Sequence, residues 1–242
     1  MKSNSFITLF FIVLMIQSVS AQKITFKDEN FKKALIDEGY DRNKDGEIDV
    51  SEIDTIAKLT ITKKKIKSLD DLVWFKSLRS VNANSNEVHN LDVFFNNPVI
   101  EEIYVGDNPL GKKLTLKNVK KLNTLIAFAD QLQEIDLTGC DNIRWLYLQQ
   151  NHFETVDVKN LPKLETLQLM DNKSLKFLNI DVNQLITSLY VTGTAITELD
   201  VTHNPLLNIL YIDNNVKLIK NKAQTNLNPM PLIKVQSVHR VN

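Results

Sequence analysis

LYLQQN at residues 146–151 and LQLMDN at 167–172 share one pattern: apolar, any, apolar, any, any, asparagine. It recurs as VNANSN (81–86), IYVGDN (103–108) and LYIDNN (210–215), with weaker copies in LTITKK (59–64), LIAFAD (125–130) and LYVTGT (189–194). The start points Leu59, Val81, Ile103, Leu125, Leu146, Leu167, Leu189 and Leu210 are spaced by 21 or 22 residues throughout. A register kept eight times is the mark of a stacked repeat, in which no single unit can bury its own apolar side chains. Side chains alternate along a strand, so Leu146 and Leu148 are expected to point inward while Trp145, Tyr147 and Gln149 point outward. The asparagines Asn86, Asn108, Asn151, Asn172 and Asn215 fall where the chain leaves each strand. A buried amide there can both accept from and donate to backbone groups of adjacent turns, forming a ladder. Asp130 and Thr194 stand in that column in two units and predict weaker rungs.

A second element returns inside most units: LQEIDLTG from Leu132, FETVDVKN from Phe153, LKFLNIDV from Leu175 and ITELDVTH from Ile196. Asn108-Pro109 and Asn204-Pro205 are turn signals that keep these return segments out of long helices. The combined unit resembles the leucine-rich repeat, and among such proteins it is similar to the short-repeat secreted type of Bacteroidetes-like bacteria. The resemblance implies a β-rich solenoid with one parallel sheet built from about eight units over residues 58–216.

The two ends differ from the repeats. Residues 1–21 carry Lys2, an apolar run from Phe6 to Ile16, and small residues at Val19-Ser20-Ala21, the pattern of a secretory signal peptide cut after Ala21. The apolar run is shorter than the roughly 20 residues that span a bilayer. Residues 22–57 read as a helical cap: Phe31, Leu35 and Ile36 have helical spacing, and Ser51–Ala57 suggests a second short helix. Between them lies DRNKDGEIDVSE (41–52). Asp41, Asn43 and Asp45 offer side-chain oxygens at loop positions 1, 3 and 5, Glu47 a backbone carbonyl at 7, Asp49 a water-mediated contact at 9 and Glu52 a bidentate carboxylate at 12. Gly46 permits the turn. This is the EF-hand pattern for Ca²⁺, present once, and the segment resembles the EF-hand-like amino-terminal caps of internalin-type repeat proteins. With Cys140 alone in the chain, no disulfide within it can brace the ends, and an ion that staples the cap onto the solenoid is the expected substitute. From Val216 the pattern fades, and residues 217–242 read as a terminal cap or tail.

The 29 basic and 29 acidic residues cancel, which removes the electrostatic case for nucleic acid or anionic membrane. The four histidines fall in different columns, and neither a glycine-rich phosphate loop nor a nucleophile–base arrangement is visible, so an enzyme is not expected. The outward strand positions are more telling. Tyr104, Tyr147, Tyr190 and Tyr211 share one column, with Ile126, Phe128, Trp145, Gln168 and Met170 beside them. Aromatic residues gathered on the open sheet face of a solenoid mark a binding surface. A protein partner is the first expectation, a glycan stacked on the rings the alternative, and a purely structural envelope role the third.

Overall fold

The computed structural model describes residues 22–225, 227, 229 and 230. The segment expected to be a signal peptide lies outside them, as does most of PLIKVQSVHRVN. Two helices, α1 (Glu29–Asp37) and α2 (Val50–Ile53), precede fourteen three-residue strands. In chain order these are β1 (Lys58–Thr60), β2 (Ser80–Asn82), β3 (Glu102–Tyr104), β4 (Lys113–Thr115), β5 (Thr124–Ile126), β6 (Glu134–Asp136) and β7 (Trp145–Tyr147). They continue as β8 (Thr155–Asp157), β9 (Thr166–Gln168), β10 (Phe177–Asn179), β11 (Ser188–Tyr190), β12 (Glu198–Asp200), β13 (Ile209–Tyr211) and β14 (Lys217–Ile219).

Eight of them form one parallel sheet in the order β1-β2-β3-β5-β7-β9-β11-β13. Its register pairs Leu59 with Val81, then Ile103, Leu125, Leu146, Leu167, Leu189 and Leu210 in succession. These are the eight start points read from the sequence. All eight are buried, as are the second inward positions Ile61, Ala83, Val105, Ala127, Leu148, Leu169, Val191 and Ile212. One continuous apolar column therefore runs the length of the stack, each unit's leucines covered by those of its neighbours.

The return side is built in pairs. β4 pairs with β6, β8 with β10 and β12 with β14, all parallel. The first two return segments instead contain 3₁₀ turns at Asp70–Trp74 and Asp92–Phe94. Repeat geometry continues past Val216: β14 pairs with β12, Leu227 is buried, and Met230 bridges Tyr211 in parallel at the open edge of the main sheet. What reads in sequence as the start of a tail is a further, partial turn of the solenoid.

α1 has Asp28 as its N-cap, whose Oδ1 accepts from the amides of Asn30 (2.9 Å) and Phe31 (3.2 Å). Its buried face, Phe31, Ala34 and Leu35, packs on the first repeat, where Phe31 meets Phe75 edge-on at 6.0 Å. α2 is shorter than expected, starting at Val50 and ending before Asp54, with only Glu52 and Ile53 buried.

The attachment of this cap was not legible in the sequence. Asp28 Oδ2 accepts from the amides of Lys67 (2.6 Å) and Ser68 (3.0 Å) in the first repeat. In return, Asp71 of that repeat accepts from the amides of Lys27 (3.0 Å) and Asp28 (3.1 Å) in the cap. Two buried carboxylates thus clasp across the junction, each satisfying backbone donors of the other side. This clasp joins cap to solenoid through side chain–backbone contacts outside the loop 41–52.

Candidate functional site

The loop 41–52 is bent by its own side chains. Asp45 N donates to Asn43 Oδ1 (2.9 Å), Gly46 N to Asp41 Oδ2 (3.0 Å) and Glu47 N to Asp45 Oδ1 (2.9 Å), while Gly46 sits at φ +80°. Asp45 is held below the usual carboxylate range, first by the Glu47 amide and then by the Lys23 ammonium at 3.1 Å. The Glu47 side chain turns away to Lys32 (2.8 Å), which leaves its backbone carbonyl as the group the loop can offer. Asp49 is buried and its Oδ1 has no hydrogen-bond partner, a spare acceptor inside the loop.

Glu52, the expected bidentate ligand at position 12, accepts three backbone amides. Oε1 accepts from Arg42 N (2.7 Å) and Asn43 N (3.3 Å), and Oε2 accepts from Asp49 N (2.9 Å). Its carboxylate closes the loop through amide donors. Among the described residues no three His, Cys, Asp or Glu side chains converge on one point. The donor set of Asp41, Asn43, Asp45, the Glu47 carbonyl and Asp49 suits a hard cation. Glu52 Oε2 accepts a single amide and keeps a lone pair for such a cation.

A lone hand needs a neighbour to pack against, and the repeats lie directly downstream. Lys23 bridges Asp49 in antiparallel fashion, with Ile24 N to Ile48 O (3.1 Å) and Val50 N to Gln22 O (3.1 Å). The chain's own residues 22–24 thus pair with the loop and bury Ile48.

On the sheet face, Tyr104, Tyr147, Tyr190 and Tyr211 stand in one column and are each half-buried. Tyr190 and Tyr211 stack with ring centroids 5.0 Å apart and planes 10° from parallel. Trp145 is covered by the Arg144 guanidinium, 4.5 Å from the ring centroid, and that guanidinium is fixed in turn by Glu165 (2.7 Å). Tyr104 donates to Glu102 Oε2 (3.3 Å). Burial pushes the phenols of Tyr104 and Tyr190 up, so they present neutral hydroxyls.

Gly106, Thr124 and Thr192, which strand alternation also places on the outer side, are buried. Gly106 has a visible reason, because a Cβ there would run into the Phe128 ring from the next unit. Gln168 and Met170 lie on the face between Tyr147 and Tyr190, half-exposed. The sequence reading therefore located the face but overstated its exposure. Among the described residues the large apolar side chains most open to solvent are elsewhere, on the return side: Phe177 (73%), Val73 and Val182 (56% each) and Leu206 (50%). Phe177 and Val182 rim a shallow recess of about 510 Å³ between β8 and β10, with Asp157, Lys159 and Asp181.

The asparagine ladder is formed by Asn86, Asn108, Asn151 and Asn172. Asn151, for example, accepts from the amides of Asp130 and Leu132 (both 3.0 Å) and donates to the carbonyls of Ala127 (2.8 Å) and Leu148 (3.1 Å). Asn215, expected in the same ladder, is exposed at the last strand of the sheet. Thr194 donates to Val191 O (2.8 Å) and accepts weakly from Ile196 N (3.5 Å), a reduced rung, since its hydroxyl has one proton to donate where an amide has two. A second ladder on the return side escaped the sequence reading. Asn183, Asn204 and Gln224 are buried in one column, each donating to two backbone carbonyls: Val158 and Leu161, Ile180 and Asn183, Val201 and Asn204. Asn204, taken as a turn signal beside Pro205, is one of its rungs. The buried Cys140 thiol occupies the same column, 3.6 Å from Leu116 O. The signal was present in the sequence, since Asn183 and Asn204 are 21 residues apart.

This geometry defines a leucine-rich-repeat solenoid of the internalin-like kind. No protein-family model and no curated protein matches the chain. Among solved structures it is similar to the functional domain of InlJ from Listeria monocytogenes, at 23% identity and TM-score 0.63 over 77% of this chain and 41% of that one. It is also similar to internalin C2 (16%, TM-score 0.55, 86% of this chain and 95% of that one) and to the internalin InlF (20%, TM-score 0.51, 83% and 54%), both from Listeria monocytogenes str. 4b F2365. The chain thus matches less than two thirds of the InlJ and InlF structures. At these identities the likeness is one of fold. The InlJ domain includes a cysteine ladder; this chain, with one cysteine, builds its rungs from amides. No helix among the described residues is long and apolar enough to cross a membrane.

Proposed function

We propose that this chain is an exported, non-enzymatic binding protein whose sheet face docks a protein partner through Trp145, Tyr147, Tyr190 and Tyr211, flanked by Tyr104, Phe128, Gln168 and Met170. The observation that carries the reading is the ordering of the rings before any ligand arrives: Tyr190 on Tyr211, and Trp145 under Arg144. Pre-stacked aromatics lose little conformational entropy on binding and supply large amphipathic contact area. Ile126, Phe128 and Met170 add aliphatic and ring surface beside them, which favours a protein over a glycan.

Tyr147→Ala is expected to leave thermal unfolding nearly unchanged and to weaken binding about tenfold or more. Lys159→Ala on the return side, an exposed side chain paired only with Asp157, serves as control. Pull-down from surface extracts beside a glycan array identifies the partner class. A partner bound equally by wild type and Tyr147→Ala moves the site to the return side, where Phe177 is exposed. A glycan retained by Ile126→Ala but lost in Tyr147→Ala replaces protein by sugar.

The same reading assigns Ca²⁺ to the loop 41–52, supported by its donor pattern and the spare Asp49 Oδ1. Because the cap is already clasped by Asp28 and Asp71, the ion's role is to stiffen the loop and hold residues 22–24 against it. At an extracellular-type affinity of about 10⁻⁴ to 10⁻³ M, stabilisation of about 1 to 2 kcal/mol builds up over millimolar calcium. That corresponds to a rise in Tm of roughly 2 to 8 °C for a chain of this size. Asp41→Ala is expected to abolish the response to both calcium and chelator. A melting temperature indifferent to chelator in the wild type excludes the ion.

A further inference from the structure

Asp130 occupies an asparagine position in the ladder, between Asn108 and Asn151, and is completely buried. Its Oδ1 accepts from Asn108 N at 2.7 Å, the acceptor half of the rung, and its own amide donates to Asn151 Oδ1. Its Oδ2 is buried with no hydrogen-bond partner. The other rungs say what that atom faces. Asn86 donates to Ile61 O and Ala83 O, Asn108 to Ala83 O and Val105 O, and Asn151 to Ala127 O and Leu148 O. By the same register, Oδ2 of Asp130 is directed at the carbonyls of Val105 and Ala127. An ionised carboxylate there would oppose two carbonyl oxygens in a site without water, whereas a carboxylic acid would donate to one of them.

We propose that Asp130 is carried as a neutral carboxylic acid in the folded chain and donates through Oδ2 as a rung of the ladder, making the middle of the solenoid sensitive to pH. Burial pushes its carboxyl up to about 8, against the opposing pull of the Asn108 amide. The charged group that acts on it from an adjoining turn is Asp107, whose carboxylate pushes the same way. A carboxyl shifted upward on folding means that the stabilisation is full below the unfolded value of roughly 4 and is lost as pH rises from there through 8. Phe128 lies two residues before Asp130, so the disturbed turn is the one that carries part of the binding face.

The test is the difference in Tm between Asp130→Asn and wild type, measured on the full chain from pH 4 to 9. Asparagine restores the donor found at four other rungs, so the variant is expected to fold, to melt several degrees higher at pH 7, and to widen its lead between pH 4 and 8 before levelling off. Carboxyl ¹³C NMR of aspartate-labelled wild type at pH 6 is expected to contain one protonated aspartate resonance that Asp130→Asn lacks. A Tm difference independent of pH, or no protonated aspartate at pH 6, overturns the proposal.

Discussion

Leu167→Ala is expected to lower stability by about 2 to 5 kcal/mol, towards the upper end of that range. Leu167 is fully buried at the centre of the sheet, with Leu146 on one side in register and Leu189 on the other. Truncation removes transfer energy and leaves a cavity that the neighbouring turns cannot close, because their own leucines are fixed by the backbone ladders on both sides. In a solenoid each unit is held by its neighbours, so one weakened interface splits the cooperative unit. Chemical denaturation should therefore give a lower midpoint with a broadened or two-step transition. The exposed Lys163→Ala one turn away is expected to stay within about 0.5 kcal/mol of wild type. A Leu167→Ala midpoint close to that of Lys163→Ala would contradict the register.

Asp28→Ala is expected to cost about 2 to 4 kcal/mol, concentrated at the amino-terminal end. The side chain caps α1, a role worth about 0.5 to 2 kcal/mol, and also accepts from Lys67 N and Ser68 N across the junction. Removing it strands donors on both sides, and buried donors without partners carry penalties of about 1 to 3 kcal/mol each. Hydrogen exchange locates the damage: amides of α1 and of Lys67 and Ser68 should lose protection while those of β7 and β9 keep theirs. Asp28→Asn should recover part of the loss, since one amide oxygen can serve one side of the clasp. Unchanged protection of α1 in Asp28→Ala would mean that the cap is held by Phe31 and its apolar contacts alone.

The aromatic sheet face was only half legible. Strand alternation placed the tyrosine column and Trp145 on the correct side, because an alternation of two follows from backbone geometry alone. How far each ring emerges depends on which neighbour leans over which. Phe128 covering Gly106 and Tyr190 stacking on Tyr211 are contacts between units about 20 residues apart, to which a single strand gives no clue. The loop 41–52 is a similar case. Its pattern of oxygen donors is written in the sequence, but the turn of Glu52 towards three backbone amides, and the pairing with residues 22–24, are decided by packing.

By itself the sequence determined the solenoid. Eight apolar pairs at intervals of 21 or 22 residues can be buried only by stacking in register, and Asn86, Asn108, Asn151 and Asn172 supply the one side chain that satisfies backbone donors and acceptors at each turn. What only the tertiary structure decided lies where the period breaks. The reciprocal clasp of Asp28 and Asp71 and the unpaired Oδ2 of Asp130 each depend on which backbone groups end up buried and opposite one another. A repeat announces itself because every unit solves the same packing problem. A junction or a substituted rung solves its problem once, with partners fixed by the folded chain.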